Sequence, residues 1–428
     1  MTARQGLMVR RVAGGALVAI AVVAGLAVVG AQTPAPAPAP TGQTPARGAG
    51  RGIQAPDYPV LPLGSPFPDF ALKGVDNKIH TLKEYGKPKV LAVVFESNHC
   101  PVSINYEARI HGLYEKYRDQ SFGLVAINPN NHGAVRLNEL GYTDMSDSLE
   151  EMKIRAAFQQ LPYPYLFDGE TQVLSMKFGA VATPHIFIFD QDRKLRYQGA
   201  IDDNARIDQV KTPYAVNAID AILADRPVAI TESRAVGCTT KWMSKATGVA
   251  EEMAAIKASP VTVDMVDATA LKALRANAET GKTVLFSFWS TTCKICASQF
   301  VEIENTYRMY RRRPFDLVTI STDAPTKSAA VLDFLKQQYA SGPNKQFASA
   351  DLNGLQAAWG AKWNPSLGLT VAVGPDGKIL FQQEGKFDIY DMRRRVMASI
   401  PDSPGYPAIQ AYFQAAVAKM DGMKGKPR

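Results

Sequence analysis

Two continuous apolar runs, each followed by a loop and a helical pattern, organise the chain. Val90 to Phe95 predicts a buried strand, and the residues after Cys100 carry apolar positions at helical spacing as far as Tyr117. The order recurs farther along, where Val284 to Trp289 predicts a second buried strand and a helical pattern follows Cys293. The chain therefore contains two copies of one plan, with a cysteine at the start of each helix.

Both copies continue in the same way, with a second buried strand, another helix and a late hairpin. The strand and hairpin lie at Gly123 to Asn128 and Ile186 to Tyr197 in the first copy, and at Phe315 to Ser321 and Leu369 to Phe381 in the second. Strands that alternate with helices and end in a hairpin predict an α/β fold, a central mixed sheet flanked by helices. The length of 428 residues exceeds one usual domain, so we expect two such domains in tandem.

The beginning of the chain predicts export. A positive start is followed by an uncharged apolar segment, which predicts a signal peptide or an uncleaved N-terminal anchor over residues 1–31. Residues 32–57 are rich in Pro, Ala and Gly and predict an extended linker. We expect the protein in the periplasm or on the outer face of the cytoplasmic membrane, with membrane contact only through that anchor.

The formal charge of +8 does not indicate a nucleic-acid partner. Lys and Arg do not alternate with aromatic residues in any cluster, and the short run Arg311 to Arg313 suits a solvated helix end. Residues 419–428 form a short basic tail. We therefore expect no binding of nucleic acid.

The strongest chemical signal is the CxxC motif of Cys293 and Cys296 at the start of a predicted helix. Unpaired backbone N–H groups and the positive end of the helix dipole stabilise a thiolate there, and Lys294 adds a positive charge. Cys293 is the predicted nucleophile, and Cys296 is the predicted resolving thiol. An inert disulfide or half of a zinc site is the alternative, although all five histidines lie in the first copy.

The residues around both cysteines resemble a known group of proteins. The segment from Phe288 to Cys296 resembles the thioredoxin fold of the TlpA-like branch, over residues 263–418. Residues 58–228 resemble the redoxin branch that includes the alkyl-hydroperoxide-reductase and thiol-specific-antioxidant (AhpC/TSA) proteins, through Gly64 to Phe70 and the loop Ala182 to His185. This resemblance implies two tandem thioredoxin-like domains, with residues 229–262 as a connector that carries a helix.

The resemblance also implies roles for further residues in substrate binding. Pro184 is the expected cis-proline beside the first cysteine, whereas Gly368 stands at the corresponding position of the second domain. Trp289 matches an aromatic residue of the family motif and is interpreted either as a wall of the active site or as core packing. The acid that some relatives use to move protons is absent, since Ser287 and Gln299 occupy its places in the second copy.

Cys100 begins a CxxS form of the same motif, so the next helical turn offers it no resolving thiol. If Cys293 pairs with Cys296, the remaining intramolecular disulfide joins Cys100 to Cys238. Cys238 is therefore a candidate resolver, with a lone packed thiol as the alternative.

Two segments outside the repeated plan are interpreted from their composition. Residues 128–149 form a long insertion that contains Asn, Asp and Gly, and we interpret it as a surface loop rather than a lid. Met243 to Ala258 has helical spacing and mixed charges, which predicts a connector helix between the two domains.

These observations lead us to expect an envelope thiol–disulfide oxidoreductase that needs no cofactor. Its partners are protein or small-molecule thiols and disulfides, with a membrane electron donor upstream or a relay of electrons between the two domains. Three alternatives remain: a thiol peroxidase centred on Cys100, a copper-binding module that uses Cys100 with His99 and His185, and a binding protein with a vestigial redox motif.

Overall fold

The computed structural model describes residues 58–424, and these hold two α/β domains in sequence. The expected signal peptide or anchor, the expected linker and the end of the basic tail lie outside the described residues. Among the residues that are described, no helix combines the length and apolar character needed to cross a membrane. The two domains pack together in one compact unit.

The first domain runs from an N-terminal hairpin to a C-terminal helix. Its strands and helices are β1 (Ala71–Gly74), β2 (Ile79–Thr81), β3 (Val90–Phe95), α1 (Pro101–Tyr117), β4 (Phe122–Asn128), α2 (Leu149–Gln159), β5 (Tyr165–Phe167), α3 (Val173–Phe178), β6 (Ala182–Thr183), β7 (His185–Phe189), β8 (Leu195–Gly199) and α4 (Tyr214–Leu223). Seven strands form one sheet in the order β2-β1-β5-β4-β3-β7-β8. Every residue of β3 is buried, as expected for a central strand covered on both faces.

The connector and the second domain follow. Their elements are β9 (Cys238–Thr239), α5 (Ala246–Lys257), β10 (Asp264–Val266), α6 (Ala268–Ala276), β11 (Thr283–Trp289), α7 (Lys294–Tyr310), β12 (Phe315–Ser321), α8 (Ser328–Gln337), β13 (Asn344–Phe347), α9 (Leu352–Trp359), β14 (Leu369–Val373), β15 (Ile379–Glu384), α10 (Ile389–Ser399) and α11 (Ile409–Lys424). Six strands form a sheet in the order β10-β13-β12-β11-β14-β15. The predicted α/β class is confirmed, and α5 lies within the segment Met243 to Ala258.

The short strand β9 joins neither large sheet. It pairs with β6 in an antiparallel ribbon, in which Thr183 lies opposite Cys238. Short helical turns at Leu82–Tyr85, His132–Ala134, Leu137–Leu140, Ile207–Gln209, Met243–Lys245 and Pro325–Lys327 complete the connections. The connector thereby returns to the first domain before the second domain begins.

One hydrophobic cluster is shared by the two domains. It combines Ile104 of α1 and Leu140 of the insertion with Ile303, Met309 and Tyr310 of α7, all of which are buried. Burial of apolar side chains is the main favourable contribution to packing. The domains are therefore joined by a common core as well as by the connector.

Residues 128–149 lie between the domains and are largely buried, so their interpretation as a surface loop is wrong. The Tyr310 hydroxyl of the second domain donates to the Thr143 carbonyl oxygen at 2.7 Å. Asp144 is fully buried and accepts from Arg155 of α2 and Arg394 of α10, each at 2.8 Å. The polar residues of the insertion can be buried because cations and a hydroxyl from the following helix α2 and from the second domain satisfy them.

Loss of the Arg394 contact tests this interface. We expect Arg394→Ala to lower the free energy of unfolding by about 3 kcal/mol, because it removes one of two cations beside a buried carboxylate. Arg118→Ala is the matched control, since Arg118 is half-exposed and its ion pair with Glu115 spans 3.1 Å at the surface. The control is expected to cost under about 1 kcal/mol in urea unfolding. Equal losses in the two variants would contradict a buried ionic contact between the domains.

Candidate functional site

The first candidate site forms where α1 meets the β6–β9 ribbon. Cys100 is the N-cap residue of α1, Pro101 occupies the first helical position, and the Cys100 side chain is fully buried. Cys100 Sγ lies 3.1 Å from the Thr183 carbonyl oxygen, and the backbone N–H of Cys238 donates to Cys100 Sγ at 3.3 Å. The structure thus brings Cys238 to Cys100, and the two cysteines are not joined by a disulfide.

The close approach of the ribbon depends on Gly237. A Cβ atom at this position would lie 1.8 Å from the Thr183 carbonyl oxygen, so a side chain there would push β9 away. The peptide bond between Thr183 and Pro184 is cis, as the resemblance of this loop implies. Gly237 and the cis-proline loop together set the position of Cys238 beside Cys100.

The surroundings of Cys100 favour its thiolate. Burial opposes the charge, but the Cys238 thiol, the positive charge of His99 and the backbone N–H groups of Ser103 and Cys238 outweigh it and lower the pKa of Cys100 to about 6. The pKa of Cys238 is raised far above its ordinary value, because its thiol proton is held by Cys100 and because the group is largely buried. Near neutral pH the site therefore holds a Cys100 thiolate and a Cys238 thiol.

A buried ion pair stands next to Cys100. His99 Nδ1 is hydrogen-bonded to Asp147 Oδ2, and both residues are buried. Burial lowers the pKa of His99, but the charge and hydrogen bond of Asp147 and the charge of Cys100 raise it above its ordinary value overall. Burial likewise opposes the Asp147 carboxylate, whose pKa is nevertheless lowered by His99, Asn128 and the backbone N–H of Asn98. Asp147 is a site residue that the sequence analysis missed.

A local signal for Asp147 was present in the sequence. Ser148 and Glu151 form a capping box at the start of α2, since each side chain accepts from the other residue's backbone N–H group. A capping box fixes where a helix begins. It therefore indicates that Asp147 directly precedes the N-cap residue of a helix and does not lie within a surface loop.

Glu96 is a second buried acid near Cys100 that sequence analysis missed. Burial and the charge of Glu107 raise the pKa of Glu96 to about 8, which keeps it protonated at neutral pH. It lines a small cavity of about 20 Å³ with Ser103, Glu107 and Arg155. Its signal was a lone carboxylate directly after the apolar strand β3.

The second candidate site is the CxxC motif at the start of α7. Cys293 is the N-cap residue, its Sγ accepts from the Cys296 backbone N–H at 3.1 Å, and the two cysteines form a disulfide. Cys293 is only 1% exposed, whereas Cys296 is half-buried. Lys294 is exposed to solvent. In the oxidised protein the predicted nucleophile is therefore the less accessible of the two sulfurs.

Gly368 lies against this disulfide. A Cβ atom on Gly368 would lie 2.5 Å from Cys296 Sγ and 2.7 Å from the Phe288 carbonyl oxygen, and its φ of +72° suits glycine. A glycine at this position therefore avoids a collision with the disulfide and the backbone. Trp289 is fully buried and stacks on Phe334, which favours the core-packing interpretation of Trp289.

The proposed copper ligands are not assembled as a site. His185 opens β7 and is buried, with Nε2 hydrogen-bonded to Gln198 Oε1 at 2.9 Å and its ring against Phe187. Burial lowers the pKa of His185 to about 4. Within residues 58–424, no group of three or more His, Cys, Asp or Glu side chains is placed to hold a metal ion.

Comparison with known proteins agrees with this architecture. Residues 63–198 match the AhpC/TSA family, and residues 253–394 match the Redoxin family. The expected pair of tandem thioredoxin-like domains is thereby confirmed. Comparison with curated proteins finds no match.

Solved structures of similar proteins come from several bacteria. An uncharacterized conserved protein from Geobacillus kaustophilus is 32% identical, with 43% of this chain and 93% of that one covered and a TM-score of 0.39. A hypothetical protein from Sinorhizobium meliloti 1021 is 29% identical, over 44% and 97% of the two chains, with a TM-score of 0.39. A putative thiol:disulfide interchange protein, DsbE, from Chlorobium tepidum is 19% identical over 39% and 97%, with a TM-score of 0.28. TM-scores this low do not bear on function.

Substitution of Gly368 tests the steric account of the second site. Gly360→Ala is the matched control, because Gly360 also has a positive φ, of +82°, but no atom within 4 Å of its added Cβ. Backbone strain alone should cost the control about 1–2 kcal/mol in unfolding free energy. Gly368→Ala should cost clearly more in the oxidised protein, because the added atom also collides with the disulfide and a carbonyl oxygen. Equal costs in thermal or urea unfolding would contradict this close contact.

The Cys238 thiol is expected to control the charge of Cys100. In a Cys293→Ser/Cys296→Ser background, we expect the ultraviolet absorbance of the thiolate to titrate with a midpoint of about 6. Cys238→Ala should move this midpoint toward the ordinary thiol value of about 8.5, because the thiolate loses a hydrogen-bond donor. Cys238→Ser keeps a hydroxyl donor and should cause the smaller shift. An unchanged midpoint in the alanine variant would contradict the contact.

Proposed function

Because the chain is a tandem thioredoxin-like oxidoreductase, with an AhpC/TSA-family domain followed by a Redoxin-family domain, we propose that it exchanges disulfides with protein or small-molecule thiols through two redox centres. The observation that carries this proposal is the contact of Cys238 with the thiolate-favouring Cys100, across a sequence separation of 138 residues. A lone packed thiol would not require the close approach at Gly237. The first centre is Cys100 with Cys238, and the second is Cys293 with Cys296.

The chemistry of the first centre follows from its charge distribution. The Cys100 thiolate attacks a substrate disulfide, forming a mixed disulfide and releasing one substrate thiolate. Cys238 then loses its proton and attacks Cys100 Sγ, which closes the Cys100–Cys238 disulfide and releases the second substrate thiol. The substrate gains two electrons, and the pair of cysteines loses them. Cys238 acts as the resolver that the CxxS motif lacks.

The greater solvent exposure of Cys238 favours the reverse exchange, in which an external thiolate reduces the Cys100–Cys238 disulfide. Cys238 is only half-buried, whereas Cys100 is fully buried. An incoming thiolate would reach Cys238 of the oxidised pair first, and Cys100 would then be the better leaving group because thiols of low pKa leave faster. Stabilisation of the Cys100 thiolate also favours the reduced form, which makes the disulfide more oxidising.

A thiol peroxidase is the second candidate function, and the full burial of the Cys100 thiolate favours it. A peroxide is small enough to enter where a protein substrate is not. Attack by Cys100 on the peroxide would break the O–O bond, give a sulfenic acid on Cys100 and release an alcohol or water. Cys238 would then displace water to form the same Cys100–Cys238 disulfide.

The second centre supplies electrons to the first in this proposal. Reduced Cys293 and Cys296 would return two electrons to the Cys100–Cys238 disulfide and become a disulfide themselves. Their own reduction requires a thiol donor, which the proposal places at the membrane. Export rests on the apolar segment of residues 1–31 and places both centres outside the cytoplasm, where disulfides persist.

Thiol-trapping mass spectrometry across a glutathione redox series tests the pairing. We expect two disulfides, Cys100–Cys238 and Cys293–Cys296, each formed and broken within the series. Cys238→Ser should leave Cys100 without its intramolecular disulfide and should stop turnover after one exchange. Failure of the Cys100–Cys238 bond to form at any potential would overturn the first centre, and an irreducible Cys293–Cys296 bond would overturn the second.

Cysteine variants and a peroxide assay test separately for an electron relay between the two centres and for peroxidase activity. Cys293→Ser/Cys296→Ser should retain one stoichiometric exchange at Cys100 but should be recycled more slowly by a dithiol donor, because electrons can then enter only through Cys238. Full recycling in this variant would exclude a relay. Consumption of hydrogen peroxide that depends on both Cys100 and Cys238 would favour the peroxidase. The shared hydrophobic core makes these variants a better test than separated domains.

A further inference from the structure

His99 and Asp147 form a buried, charged pair that the exchange steps above do not use. Asp147 Oδ1 accepts from the Asn98 backbone N–H at 2.8 Å and from Asn128 Nδ2 at 3.1 Å. Asp147 Oδ2 accepts from Asn130 Nδ2 at 3.0 Å and is hydrogen-bonded to His99 Nδ1. Fixed donors therefore surround both carboxylate oxygens, and they hold Asp147 in its ionised form.

The orientation of the His99 ring follows from this arrangement. Since the ionised Asp147 can only accept, Nδ1 of His99 carries a proton and donates it. His99 Nε2 is buried and has no hydrogen-bond partner within the described residues. A buried nitrogen without a partner is costly in a structural ion pair, which would gain from closing all its hydrogen bonds. The unpartnered Nε2 therefore distinguishes this pair from an ion pair whose hydrogen bonds are all closed.

We propose that His99 is the fixed cation that maintains the Cys100 thiolate, and that Asp147 is the positioning residue that keeps His99 protonated and oriented. This inference rests on the proposed redox function of the Cys100 centre. The reduced site then holds three alternating charges, negative on Cys100, positive on His99 and negative on Asp147. Formation of the Cys100–Cys238 disulfide removes the first of these charges and leaves a neutral ion pair.

Other charged groups around His99 do not reverse this arrangement. Lys241, which follows β9, disfavours the imidazolium, but it is paired with Glu139 of the insertion at 2.6 Å. Cys238 keeps its proton and remains neutral. The anions around His99, which are Asp147, Cys100 and Glu139, therefore outweigh the cation Lys241, and the imidazolium is favoured.

The sign of the pH dependence follows. The pKa of Asp147 is lowered, so its contribution to stability is lost as the pH falls through that lowered value. The pKa of His99 is raised, so the contribution of the imidazolium is lost as the pH rises through that raised value. The ion pair is complete between these limits, a window that begins below the ordinary Asp value of 3.8 and ends above the ordinary His value of 6.5.

Two variants in the Cys293→Ser/Cys296→Ser background test the inference. His99→Gln should raise the Cys100 midpoint by about one pH unit or more, since an opposite charge nearby shifts a pKa by about 1–3 units. Asp147→Asn should shift it in the same direction by a smaller amount. His132→Gln is the matched control, because His132 is an exposed histidine of the same domain. It should leave the midpoint unchanged.

The redox readout separates a charge effect from a packing effect. Loss of the cation destabilises the reduced form, so His99→Gln should make the Cys100–Cys238 disulfide more stable against glutathione by about tenfold per unit of midpoint shift. An unchanged midpoint and an unchanged glutathione equilibrium in a folded His99→Gln protein would overturn the inference. Formation of the disulfide in the parent protein would still support the proposed function.

A measurement on the unaltered cysteines avoids dependence on variants that fail to fold. NMR titration of the His99 ring in the reduced wild-type protein should give a pKa above the ordinary value of 6.5, and oxidation should lower it because the Cys100 charge is lost. A His99 ring that is neutral at pH 6 in the reduced protein would overturn the inference. Absence of the Cys100–Cys238 disulfide in the same sample would instead remove the proposed function.

Discussion

The rest of the structure depends on the ion pairs of two buried carboxylates, those of Asp144 and Asp147. They stand three residues apart in the insertion, and both side chains are fully buried. A buried charge persists only where partners compensate its desolvation. Asp144 forms ion pairs with two arginines, one from each domain, and Asp147 forms an ion pair with His99. One short segment thereby holds the domain interface with one carboxylate and orders the first redox site with the other.

This arrangement links the position of the second domain to the charge of Cys100. Arg394 on α10 fixes Asp144, and Asp144 fixes the chain that leads to Asp147. One buried ionic contact and a short stretch of backbone thus connect the second domain to Asp147. The second domain therefore helps to hold the segment that carries Asp147 in place beside the first site.

The two candidate redox sites place their second cysteine differently. Both place a cysteine at the N-terminus of a helix after a buried strand, where the backbone favours a thiolate. In the second domain the partner is Cys296, one helical turn away, and a glycine leaves space for the disulfide. In the first domain the partner is Cys238. It lies on β9, which follows the domain in sequence and pairs with β6 beside the cis-proline loop. Gly237 makes this approach sterically feasible, as Gly368 does for the disulfide of the second site.

The strands and helices were largely predictable from the spacing of apolar residues. The buried polar residues between the domains were not. The strands β3 and β11 are continuous apolar runs, so their burial and their place before a cysteine follow from local pattern. The insertion contains many residue types that are usually exposed, and its partners Arg394 and His99 are remote from it in the sequence, whereas Arg155 lies on the helix that follows it. The composition of the insertion gives no information about residues outside it. The burial of Asp144 and Asp147, however, depends on charged partners that only the fold brings next to them.

The charge pattern of the first site also determines how many protons accompany its electrons. Reduction of a disulfide to two thiols consumes two protons, but the reduced site holds Cys100 as a thiolate above a pH of about 6. Only Cys238 then takes up a proton, and its raised pKa ensures that it does. The negative charge left on Cys100 would be prohibitive in a buried site without a cation. His99 is the cation that stands beside it, and Asp147 is the reason that His99 is charged there.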